Sequence, residues 1–135
     1  MFEEEIRQDY EKIDWLRSEN RRLYEKIDDY RGAMNTANEK QQQLTELRSE
    51  VLSIAKSILP LSKNSSMLQE FYSGLEAILG GKNASETVKS LTDAHDKAQR
   101  EIWSAEDQIR QNDNQIAQFE NHIMELQIRQ REATQ

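Results

Sequence analysis

No cysteine occurs in the 135 residues, which excludes disulfides and thiol chemistry. Two histidines are too few for a metal centre unless several other ligands converge on them. Proline occurs once and glycine four times, so the chain has few places at which to break a helix. No run approaches the ~18 apolar residues that a membrane-spanning helix requires. A basic face is also missing: 18 Lys and Arg stand against 25 Asp and Glu, mixed along the chain, for a net charge of −7. That balance opposes nucleic acid, whose binding needs cations to displace counterions, and it opposes anionic membranes. The opening Met1-Phe2-Glu3-Glu4-Glu5 is acidic where a secretory signal is basic and then apolar, which predicts a cytoplasmic protein.

What is present is charge and periodicity. Charged residues make up 32% of the chain and hydrophobic ones 36%, a composition of amphipathic helices rather than of a compact globule. The pentapeptide Tyr-Glu-Lys-Ile-Asp occurs twice, at Tyr10 and Tyr24, fourteen residues or two heptads apart. Alternate steps of three and four from Ile13 visit Leu16, Asn20, Leu23, Ile27, Tyr30, Met34, Ala37, Gln41, Leu44, Arg48, Val51, Ala55 and Ile58. Eleven of these fourteen positions are apolar or aromatic, a sustained coiled-coil stripe. The pattern predicts a first helix over about 3–59, ended by Pro60 and weakest at Gly32 to Asn38.

Leu61 to Ser66 reads as a turn, and Ser66 with Gln69 as a capping box opening a short helix over about 66–79. Gly80-Gly81 stops that helix. Asn83 or Ser85 caps a third helix over about 84–130. Its stripe is Val88, Leu91, His95, Ala98, Ile102, Ala105, Ile109, Asn112, Ile116, Phe119, Ile123 and Leu126. Acid-to-base pairs four apart, such as Asp96–Arg100 and Glu125–Arg129, support its outer side. Together these features predict an all-α fold in one domain, 1–135: an elongated antiparallel helical hairpin or coiled coil with a short helix at the bend. Asn20 and Asn112 interrupt the stripes as buried polar residues able to fix register.

No catalytic constellation, cofactor site or metal site emerges. Neither His95 nor His122 has Glu three residues before it, as a helical di-metal site would require. Gly80-Gly81 does not belong to a phosphate loop, and the sequons at Asn64 and Asn83 read as turn and cap residues. Apolar residues off the main stripe say more. Trp103, Ala117 and Met124 form a second stripe on the third helix, interrupted by Arg110, while Trp15 and Tyr24 lie off the seam of the first. Leu47, Leu52, Ile54 and Leu59 widen its C-terminal end. A single antiparallel helix cannot cover both stripes, which makes Trp15, Tyr24, Trp103, Ala117 and Met124 candidates for binding a helical protein partner. The first helix outruns the third by about eleven residues on these boundaries, which leaves the N-terminal repeat only partly covered.

At the bend the chain reads Tyr72-Ser73-Gly74-Leu75-Glu76-Ala77. With Tyr in place of Trp, this resembles the Trp-x-Gly-x-x-Ala bend of the WXG-type hairpins of type VII secretion systems. More closely, the architecture resembles the small α-helical proteins associated with LXG toxins in Gram-positive bacteria. The resemblance implies a non-enzymatic targeting factor. It would bind the N-terminal helical domain of an LXG toxin, alone or beside a second small helical protein, and present it to the type VIIb export machinery, either staying in the cytoplasm or leaving with that cargo. Its relatives carry a Tyr-x-x-x-Asp/Glu signal near the C-terminus; here Tyr10 to Asp14 and Tyr24 to Asp28 fit the pattern near the N-terminus instead. The heptads by themselves fit a self-associating coiled-coil scaffold, a homo-oligomer, equally well.

Overall fold

The computed structural model describes residues 2–62, 65–79 and 81–135. Among them are three α-helices and no strand: α1 (Phe2–Ser62), α2 (Ser66–Leu79) and α3 (Lys82–Thr134). Contacts divide the chain into two compact units, Met1–Arg31 with Arg100–Gln135, and Gly32–Gln99.

α1 packs against α3 as an antiparallel hairpin. Asp9 meets His122, Asn20 meets Asn112 and Arg31 meets Glu106, so numbers fall along α3 as they rise along α1. In the second unit Gln41 meets Thr92 in the same sense. The heptad stripe is what the helices bury. Ile13, Leu16, Leu23 and Ile27 of α1 and Ile102, Ala105, Ile109, Ile116, Ile123 and Leu126 of α3 form the seam of the first unit. Ile6 and Phe119 pack against its distal end.

Several boundaries differ from the sequence expectation. Pro60 lies inside α1 rather than ending it. A proline in the last turn removes only one backbone bond, and the helix runs two residues further. Of the turn expected over 61–66, Leu61, Ser62 and Ser66 are helical, and residues 63 and 64 lie outside the described residues. Ser65, not Ser66, caps α2: its carbonyl accepts from the Gln69 amide at 3.1 Å, and its Oγ lies 3.4 Å from the Leu68 amide. Gly81 precedes α3 and accepts the Ser85 amide at 3.3 Å, so Asn83 and Ser85 fall inside the first turn. Gly80, expected to stop α2, lies outside the described residues.

The N-terminal repeat is partly covered: Ile13 and Ile27 are buried, Ile13 in a cluster with Ile116 and Ile123 of α3, whereas Tyr10 and Tyr24 are 50% and 55% exposed. The surplus length of α1 lies at its other end. From the Gln41–Thr92 bond, ten residues forward reach Val51 and ten back reach Lys82, where α3 begins. Both helices rise equally per residue, so residues beyond Val51 have no α3 residue opposite.

Candidate partner-binding faces

Heptad letters order the surface of the first unit, with seam positions a and d flanked by e on one side and g on the other. On α1 the e column is Tyr10, Arg17, Tyr24 and Arg31; the facing column on α3 is Glu106, Asp113 and Glu120. Arg17 Nη2 donates to Glu120 Oε1 at 3.2 Å, and Arg31 lies 3.6 Å from Glu106. On the other flank, Lys26 lies 3.8 Å from Glu101 and Lys12 sits 5.2 Å above the Phe119 ring. Every α1 member of these interhelical ion pairs is a cation and every α3 member an anion. Each exposed pair contributes little to stability, but the pattern disfavours pairing either of these first-unit segments with its own kind.

This arrangement accounts for the repeated pentapeptide. The isoleucines fill the seam, the lysines take one flank toward α3, and the tyrosines alternate with the bridging arginines on the other. The simplest role of both copies is packing.

Asn20 and Asn112 meet inside the seam. Asn112 Nδ2 donates to Asn20 Oδ1 at 2.9 Å, Asn20 Nδ2 donates to Asp113 Oδ1 at 2.9 Å, and Gln108 Nε2 donates to Asn112 Oδ1 at 2.9 Å. A one-heptad slip would set Asn20 against Ala105 or Phe119 and Asn112 against Ile13 or Ile27, and strand both amides unpaired. A second buried polar contact was not anticipated. Asp9, only 5% exposed, hydrogen-bonds His122 across the hairpin. One step of four back from Ile13 lands on Asp9, and one more of three on Ile6, so the stripe itself carried the signal. His122 serves this contact, and His95 Nδ1 lies 3.4 Å from Asp96. Among the described residues, no three His, Asp or Glu side chains converge as metal ligands would.

The five candidate partner-binding residues do not share one surface. Trp103, Ala117 and Met124 form the outward column beside Glu106, Asp113 and Glu120, on the flank that also carries Tyr24. Tyr24 itself borders an open groove with Arg17, Arg21, Asn20 and Asp113. Trp15 lies on the other flank, in a groove with Lys12, Leu16, Gln115 and Phe119. Both tryptophans are mostly in solvent, Trp15 at 63% and Trp103 at 61%, and Met124 is at 59%. Tyr72, Gly74 and Ala77 all lie within α2 rather than on a turn. A Cβ on Gly74 would meet nothing within 4 Å, so neither a close approach nor a special backbone conformation requires glycine there. No protein-family model, curated protein or solved structure matches the chain. Among the described residues, no helix is long and apolar enough to cross a membrane.

Proposed function

We propose that this protein is a non-enzymatic adaptor that binds a helical protein partner through the Tyr24, Trp103, Ala117 and Met124 flank of its first unit. One observation carries the reading: Trp103 and Met124 stay in solvent although the seam beside them is already filled. Large aromatic and thioether side chains in one outward column fit the apolar stripe of an approaching helix. The resemblance at sequence level names the partner as the N-terminal helical domain of an LXG-type toxin. In that setting the adaptor acts in the cytoplasm and delivers its cargo to a type VIIb secretion system.

The test is co-expression with such a toxin domain. The wild-type protein should form a stoichiometric complex, and the double variant Trp103→Asp/Met124→Asp should lose it while its circular dichroism stays helical. Unchanged affinity in the double variant would mean that this flank is not the interface. A self-associating scaffold is the second reading, favoured by the apolar end of α1.

A further inference from the structure

We infer that two copies of this protein pair in parallel along a second heptad seam of α1, residues 44–61. Leu44, Leu47, Val51, Ile54, Ile58 and Leu61 follow one another at intervals of three, four, three, four and three, with no polar residue among them. The main heptad stripe over the same stretch reads Gln41, Leu44, Arg48, Val51, Ala55 and Ile58, which is poorer in every second position. The two seams share Leu44, Val51 and Ile58. The second is turned about 60° around the helix, at 3.6 residues per turn. Leu47, Ile54 and Leu61 are 57%, 50% and 61% exposed, and the last two lie beyond the reach of α3.

Residue types and charges select a second copy as the occupant. In this seam Leu44, Val51 and Ile58 take the a positions and Leu47, Ile54 and Leu61 the d positions. β-Branched a residues with leucine at d favour two parallel strands; Val51, Ile58, Leu47 and Leu61 conform, while Leu44 at a and Ile54 at d depart from the rule. In a parallel pair Gln43 flanks Arg48 of the copy and Glu50 flanks its Ala55, so no like charges meet. An antiparallel pair that kept all six layers filled would set Glu50 against Glu50, by the same offset that joins Lys26 to Glu101 in the hairpin. Net charge agrees. The second unit has 7 Lys and Arg against 8 Asp and Glu, whereas the first has 11 against 17, so copies meeting through the second unit repel little.

This pairing does not depend on cargo, and its test uses the full chain alone. Light scattering and sedimentation from micromolar to sub-millimolar concentration should give twice the single-chain mass. Ile54→Lys should halve it, with helical circular dichroism unchanged. Leu47→Lys, at a more exposed position, should do the same and decides the matter if the first variant loses helicity. A single-chain mass for the wild type throughout, or a doubled mass in both variants, overturns the pairing. Orientation is read separately. Because the chain has no cysteine, Leu47→Cys and Leu61→Cys each supply one thiol, which on oxidation should cross-link to its own counterpart. A dimer in which neither variant cross-links overturns the parallel arrangement.

Discussion

The two units fill the same kind of seam with different residues. In the first, successive layers are Ile, Leu and one Asn pair, and ten Ile, Leu and Ala side chains are buried. In the second, among the described residues, the buried apolar residues are Ala37, Ala55 and Ala98, while Leu47, Leu52, Ile54, Leu61, Met67 and Phe71 are exposed. Burial stabilises by about 0.8 kcal/mol per methylene, so an alanine layer contributes far less than a leucine layer. The contrast teaches that one continuous stripe can hold a hairpin shut at one end and leave the other end under-filled. It places the stable platform in the first unit and the surface in need of cover in the second.

The largest effect that would sharpen this contrast comes from the cores. Leu126→Ala should destabilise by about 2–5 kcal/mol in urea unfolding, because it leaves a cavity in a filled seam. Leu52→Ala, exposed and outside both seams of α1, should change stability by less than about 0.5 kcal/mol, as a surface substitution does. Equal effects would erase the distinction between the units. Next is the polar layer. Asn20→Ala leaves the Asn112 Nδ2 donor without its acceptor within the first unit and should cost about 1–3 kcal/mol. Replacing both by leucine should restore the loss or exceed it, since no polar group is then stranded.

A smaller effect tests the boundary between the units, which falls at Gly32. A Cβ there meets nothing within 4 Å and no described glycine has positive φ, so Gly32→Ala should stabilise α1 by about 0.5–1 kcal/mol. Loss of stability instead would mean that the helix needs to bend at that point. The smallest effect lies at the exposed start of α1. A hydrogen bond from Arg7, and then one from Gln8, holds the Glu4 carboxyl below its ordinary value of 4.5. A depressed carboxyl contributes stability above its unfolded value and loses it as pH falls through the folded value. Arg7→Ala should therefore slightly reduce helicity at neutral pH and make no difference well below pH 4.5.

The three helices and the buried faces of the first unit were legible in the sequence because heptad spacing is a local property. Ile102, Ile109, Ile116 and Ile123, seven apart, lie in the seam wherever the partner helix sits. Helix ends were read less well. Ser65 and Gly81 each precede the residues expected to cap α2 and α3, since neighbouring serines and glycines offer equivalent chemistry. The Asp9–His122 contact escaped because an acid on the stripe reads as its end. Only a partner from the other helix makes it a buried member.

The sequence alone determined that the chain is helical and that α1 carries more apolar surface than one stripe holds. Periodicity and residue type suffice for that. Tertiary structure decided the register, with Asn20 against Asn112, and it placed Trp15 on one flank and Trp103 on the other. It also put the surplus of α1 beyond the start of α3, where Ile54 and Leu61 are left in water. Those outcomes depend on where α3 begins along α1, a relation between distant segments that no local pattern contains.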